Sequence, residues 1–340
     1  MPGHDIIVVG SSAGGVEALT TLVARLPHDL PAAIFIVLHL APEGPSFLAE
    51  ILSRAGPLPA TQMVNGEAIT PGRIYVAPPD HHLLVEQGHA RVTRGPKENR
   101  FRPAVDVLFR SAAYAYGPRV IGVILTGALD DGTAGLWAVK DRGGLAVVQD
   151  PQDALHSSMP HSALQYVDVD ACLPLAKIAP TLVRLAGEPA PLEGSFPVSK
   201  KLAVETQIAG EDHALRRGIM DLGTLSPYSC PECHGVLVQL KDGDFIRFRC
   251  HTGHAYSPSA LLAEVTESLE SSLWNTLRGI DEVMLLLRHL AQHARDRKDV
   301  GMAEVAERKM RDAEQSTQII RELLKRQETL SEDQLRHDAG

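Results

Sequence analysis

The chain has 340 residues, of which 44% are hydrophobic, and a formal net charge of -9. That length allows roughly two or three domains, and the negative balance argues against a nucleic-acid surface. No run approaches the ~18 apolar residues of a membrane span and the first five residues lack the regions of a signal peptide, so the expectation is a cytoplasmic protein without membrane insertion.

Residues 6–9 read as a buried strand that runs into Gly10-Ser11-Ser12-Ala13-Gly14, a G-x-S-x-G match, with a helical pattern over 16–26. A sharp strand-to-helix turn can hold a serine hydroxyl exposed above a sheet, which makes Ser12 the candidate nucleophile. Backbone N–H groups at the start of the helix would face a developing oxyanion. Gly-rich turns of this kind also cradle phosphates, and these residues alone leave both readings open.

The apolar run 33–38 ends in His39. A short helix over 46–53 closes at Gly56-Pro57, and 68–77 is strand-like with a turn at Thr70-Pro71-Gly72. Residues 82–85 and 90–93, split by Gln87-Gly88, read as a hairpin, and 105–116 as a helix. The run 120–125 ends in Thr126-Gly127-Ala128-Leu129-Asp130-Asp131-Gly132, followed by a helix over 133–142 and a strand over 145–149. Met159-Pro160-His161 begins a helix, and 173–185 is another. This alternation predicts a doubly wound, mostly parallel α/β sheet over residues 1–187. Cys172, in an apolar segment, is expected to be a core thiol.

Ligands of parallel sheets bind beyond the carboxyl ends of the strands. Ser12, His39 and Asp131 all leave apolar strands at that edge. Each has a plain alternative: a loop histidine, or an Asp-Asp-Gly that only caps a helix. All three together favour a triad, since a phosphate site needs no His39 and no Walker lysine follows Gly14-Gly15.

These landmarks resemble the catalytic domain of bacterial chemotaxis protein-glutamate methylesterases over about residues 5–185. The resemblance rests on 9–15, on Val37-Leu38-His39, on 74–82, on Asn99-Arg100-Phe101-Arg102-Pro103 with 104–109, and on 122–132. It implies Ser12 as nucleophile, His39 as base and Asp131 as the group that orients it. It also implies removal of methyl groups from glutamate 5-methyl esters of receptor-type proteins, with possible glutamine deamidation and no cofactor for catalysis. Ala128 and Ala13 are the expected oxyanion donors, and Arg100 and Arg102 are candidate contacts for acidic substrate neighbours. Such enzymes commonly carry an N-terminal receiver domain. Here the catalytic strand begins at Asp5, so control is expected from elsewhere in the chain.

Residues 188–227 read as a partly ordered linker. Within 228–258, Cys230-Pro231-Glu232-Cys233 and Cys250-His251-Thr252-Gly253-His254 flank a hairpin pattern whose turn is Lys241-Asp242-Gly243-Asp244. Two ligand pairs flanking a hairpin build a zinc ribbon. Cys230, Cys233, Cys250 and His254 are the expected ligands of a structural zinc, with His251 the rival for the fourth place; a redox C-x-x-C is the alternative. Residues 259–330 carry apolar positions at helical spacing, Leu262 to Leu290 and Met302 to Leu324 among them, and read as a helical hairpin. Its apolar seams suit packing, homo-oligomerisation, or docking to a receptor or methyltransferase. The tail 331–340 is expected to be disordered. Two further classes compete with the hydrolase: a scaffold that binds signalling partners through ribbon and helices, and a nucleotide-binding protein using Gly10 to Gly15.

Overall fold

A computed structural model describes residues 3–210 and 214–326, and the expected disordered tail lies outside them. The chain divides into two compact units, Met1–Leu261 and Leu262–Gly340.

The first unit is built on a seven-stranded parallel sheet. Its strands are β1 (Ile6–Ser11), β2 (Ala33–Leu38), β3 (Ala60–Gln62), β4 (Ile74–Val76), β7 (Val120–Ile124), β8 (Leu145–Gln149) and β9 (Ala171–Leu173). They lie in the order β3-β4-β2-β1-β7-β8-β9. Between β4 and β7 in sequence, β5 (His82–Glu86) and β6 (His89–Thr93) form a separate antiparallel hairpin.

Helices cover both faces, as the continuous apolar strands require. Alternation along β1 sends Ile6 and Val8 to one face and Ile7 and Val9 to the other. The first face packs against α3 (Val105–Tyr116), α4 (Thr133–Asp141) and α5 (Ser158–Tyr166). The second packs against α1 (Gly15–Val23), α2 (Leu48–Ala55) and α6 (Leu175–Ala186). The chain leaves β1 toward β2 on one side and reaches β7 on the other. The sheet therefore changes direction between β1 and β7, and a crevice opens at their carboxyl ends.

The short edge strands β3 and β9 are absent from the sequence reading, and of the strand-like stretch 68–77 only β4 is strand. Cys172 is a correction. It is exposed on β9, because alternation on this edge strand turns its neighbours Ala171 and Leu173 to the core instead.

Within residues 188–227, the expected partly ordered linker, lies α7 (Lys200–Ala209), whose Leu202, Val204 and Ile208 are buried. Then β10 (Thr224–Ser229), β11 (Val236–Asp242), β12 (Phe245–Cys250) and β13 (Ala255–Tyr256) form a second, antiparallel sheet. This ribbon belongs to the first unit. Buried charges tie it there: Arg249 donates to Glu98 at 2.8 Å and to Glu205 at 3.1 Å, and Arg247 holds Glu205 with two bonds of 2.8 Å. Arg110 of α3 pairs with the other side of Glu98.

Two long helices follow, α8 (Pro258–Asp296) and α9 (Val300–Arg326). Leu277, Ala291, Ala303 and Ala306 are buried, while Val265, Leu269, Leu290 and Met302, also seam positions by spacing, are exposed. No helix among the described residues is long and apolar enough to cross a membrane.

Candidate functional site

At the end of β1 the backbone must turn sharply into α1. Gly14, at φ 73°, takes the left-handed conformation that caps the helix. Ser11 is fully buried and its hydroxyl donates to the Thr126 carbonyl at 2.7 Å. Ser12 instead lines an open cleft of about 540 Å³ with Ala13, His39, Lys97, Arg100 and Phe101. The two adjacent serines thus have separate places. Gly127 lets the β7 loop approach: a Cβ there would lie 3.0 Å from the Cβ of Ser12 and 2.0 Å from Sδ of Met159.

His39 follows β2, and its side chain is 3% exposed. Its Nε2 lies 2.8 Å from Oδ2 of Asp131. Nδ1 is buried and finds no hydrogen-bond partner among the described residues. An ionised carboxylate only accepts, so Nε2 carries the hydrogen and Nδ1 presents its lone pair. Phe101 stacks flat on the imidazole, with ring centroids 3.6 Å apart and planes within 6°.

Asp131 is 1% exposed. Burial pushes its carboxyl up. The His39 bond, Asn99 Nδ2 at 2.9 Å and the Val105 N–H at 2.7 Å overcome that, and hold it below the usual carboxylate range. Asp106 stands beside it, also buried. Burial and then the charge of Asp131 push its carboxyl up to about 7, against Arg110 and the Gly135 N–H. The Asn99 amide donates to both carboxylates, at 3.0 Å to Asp106.

Of the expected oxyanion donors, Ala13 lines the cleft and Ala128 is exposed in the β7 loop. The neighbouring N–H groups are committed: Ser12 donates to the Thr126 carbonyl at 3.1 Å, and Gly127 to that of His156 at 3.0 Å. Arg100 and Arg102 both line the cleft. Arg102, however, donates to Asp80 at 2.6 and 2.9 Å and to the Gly95 carbonyl at 2.9 Å, which makes it a brace of the wall.

The ribbon gathers a second group. The ligand atoms of Cys230, Cys233, Cys250 and His254 all lie within 4.8 Å of one another. Cys230 Sγ and Cys250 Sγ each stand 3.6 Å from His254 Nδ1, and Cys233 Sγ 3.6 Å from Cys250 Sγ. Metal–sulfur bonds of about 2.3 Å and metal–nitrogen bonds of about 2.0 Å in a tetrahedron have edges of roughly 3.5–3.8 Å. The cluster therefore fits a tetrahedral ion, and no pair is at disulfide distance. His251 is exposed and stands outside the group, its ring against Gly235.

Asn99, Phe101 and Asp106 were not singled out by sequence reasoning, although all three fall inside a motif quoted for the resemblance. Asn99 holds a left-handed φ of 49°, a conformation that asparagine tolerates.

The CheB methylesterase family model matches residues 7–182. An Anaeromyxobacter dehalogenans protein-glutamate methylesterase/protein-glutamine glutaminase is 40% identical over 188 residues, which cover 54% of this chain and 52% of that protein. A Leptospira interrogans relative, provisionally named for the same two activities, is 41% identical over 183 residues, 54% of this chain and 95% of its own. The crystal structure of the Thermotoga maritima CheB methylesterase catalytic domain superposes with a TM-score of 0.51 at 35% identity, over 54% of this chain and all of that one.

Proposed function

The chain belongs to the CheB methylesterase family, and from that premise we propose that it hydrolyses glutamate 5-methyl esters with Ser12 as nucleophile, His39 as base and Asp131 as the residue that orients it. The observation that carries the assignment is the buried His39–Asp131 bond of 2.8 Å in the wall of the cleft that Ser12 lines. Nδ1 of His39 takes the proton of Ser12 as its Oγ attacks the ester carbonyl. Asp131, held ionised by its hydrogen bonds, fixes the tautomer and stabilises the imidazolium. The N–H groups of Ala13 and Ala128, at the mouth of α1 and in the β7 loop, are the donors for the oxyanion. The imidazolium returns its proton to the leaving methanol. Water, deprotonated by His39, then attacks the acyl-serine, and glutamate and free Ser12 are restored. With a glutamine side chain, ammonia leaves in place of methanol.

The substrate class is a methylated chemoreceptor-type protein. Lys97, whose Nζ also donates to Glu232 at 2.9 Å, and Arg100 are the cationic groups of the cleft for the acidic neighbours of the modified residue, and Arg102 holds Asp80. Homo-oligomerisation, or docking to a receptor or methyltransferase, falls to the exposed apolar positions of α8 and α9. The ribbon is a structural zinc site. Three thiolates and one imidazole close a four-coordinate shell with no position left for a reactant.

The test is methanol release from membranes carrying receptor with labelled methyl esters. The full chain should release label, and Ser12→Ala should lower the rate by about 10³-fold or more. A Ser12→Ala protein with near-native turnover overturns the assignment.

A further inference from the structure

The ribbon does more than dock. His254 is followed at once by β13, and β13 lies against the loop that carries Asn99. The Asn99 N–H donates to the Ala255 carbonyl at 2.8 Å, and the Ala255 N–H to the Lys97 carbonyl at 3.3 Å. The Ser257 N–H donates to Oδ1 of Asn99 at 2.9 Å. The Ser257 hydroxyl donates to Oδ1 of Asp130 at 2.6 Å and accepts from the Ala260 N–H at 3.0 Å. Asp130 immediately precedes Asp131.

The Asn99 amide is thereby held at both its oxygen and its nitrogen. Its oxygen is fixed by the ribbon, and this orients the nitrogen, whose two hydrogens go to Asp131 and Asp106. Asn99 and Arg100 hold left-handed φ angles of 49° and 77°, a strained pair that surrounding contacts must maintain. The next residue, Phe101, covers His39. One short loop therefore touches two members of the triad, and its backbone and one side chain are held by residues just beyond a metal ligand.

We propose that the ribbon is a positioning part of the esterase: Ser257 and Asn99 set the orientation of Asp131, and the bound metal sets the orientation of Ser257. The proposal rests on the triad and the zinc site proposed above. In the metal-loaded chain the knuckle between Cys250 and His254 is fixed, β13 keeps its register, and Asn99 presents its amide to Asp131. Without the metal the four ligands are free to part, because metal-binding energy of this kind is folding energy for a small hairpin. Asn99 and Asp130 then lose their ribbon partners, and the His39 imidazole loses its fixed geometry. The class of regulator that would act here is a metal chelator or a thiol oxidant, working through position and not through access to Ser12.

The experiment uses the full chain, a small activated ester and separate readings of kcat, KM, zinc content and circular dichroism. Asn99→Gly removes the amide while tolerating the left-handed backbone. Ser257→Ala removes the hydroxyl. Both should keep the native spectrum, one zinc per chain and KM, and should lose about tenfold to hundredfold in kcat, as misplacement of a reacting group does. Ser257→Thr, which retains the hydroxyl, should restore most of the loss. Chelation of the wild-type chain should lower kcat in the same way, and added zinc should return it. Native kcat in both variants with zinc bound, or in the chelated chain, overturns the proposal and leaves triad and zinc site standing. A purified chain without metal overturns the zinc reading and this proposal together, and an active Ser12→Ala protein does so for the triad.

Discussion

Phe101 lies flat on the imidazole of His39, 3.6 Å from ring centre to ring centre. The ring closes one face of the imidazole, whose Nε2 is already engaged by Asp131. In the mechanism proposed above, it also places the negative face of an aromatic ring against the imidazolium of the transition state. Such a contact contributes about 1 kcal/mol. Phe101→Leu should therefore lower kcat/KM about fivefold on a small ester, and Phe101→Tyr should lower it less. Equal rates for wild type and Phe101→Leu would reduce the stack to packing.

The adjacent serines should separate cleanly. Ser11→Ala deletes a buried hydrogen bond to the Thr126 carbonyl, which still accepts from the Ser12 N–H. It should cost about 1 kcal/mol of stability, read from urea denaturation, and leave most of the rate. Ser12→Ala should do the reverse: native stability with no labelling by a serine-reactive fluorophosphonate. Exchange of the two phenotypes would move the nucleophile to Ser11.

His82 supplies a pH dependence. It is completely buried; its Nε2 donates to the Pro96 carbonyl at 2.8 Å and its Nδ1 accepts from the Ala104 N–H at 3.3 Å, so it is neutral. Burial lowers its pKa from 6.5 to about 4. The unfolded chain therefore binds a proton that the folded chain refuses between these values. Stability from this group is fully present above 6.5, falls as pH drops, and is lost by about pH 4. His82→Gln should be less stable at pH 7.5 and should show a flatter decline to pH 4.5. Parallel curves for wild type and variant would show that the ring is protonated in the fold.

Arg249 is fully buried between Glu98 and Glu205, with its third bond to the Gly253 carbonyl of the knuckle. Removing one partner of such a network leaves uncompensated buried charge. Arg249→Met should cost about 3–5 kcal/mol, measured by urea denaturation, and should weaken zinc retention against a competing chelator. A cost below about 1 kcal/mol would mean that water replaces the guanidinium.

The long periodic elements were legible before the structure, because β1, β2, β7 and β8 are buried on both faces and their apolar runs are unbroken. The same runs placed Ser12, His39 and Asp131 at one edge. Strands of three residues such as β3 and β9 carry no period to read, and Cys172 was misplaced for that reason. Asn99 was invisible for a different reason. Its oxygen meets a residue 158 positions away, and nothing in its own neighbourhood names that partner. The Cys230, Cys233, Cys250 and His254 spacing was legible because tetrahedral geometry leaves a short-range signature, whereas the buried ion network around Glu98 and Glu205 pairs residues from distant segments.

That separation of 158 positions between Asn99 and Ser257 has a temporal meaning. At roughly 5–20 residues per second, a ribosome needs on the order of ten seconds after completing Asn99 to complete Ser257. Ser12, His39 and Asp131 all exist by then. On the proposal above, the nascent chain is a slow hydrolase while it is being made, and it reaches its full rate only when the ribbon emerges. Ribosome-stalled chains released at successive lengths should turn from poor to rapid reaction with a fluorophosphonate once the ribbon has cleared the exit tunnel, and not when residue 187 has.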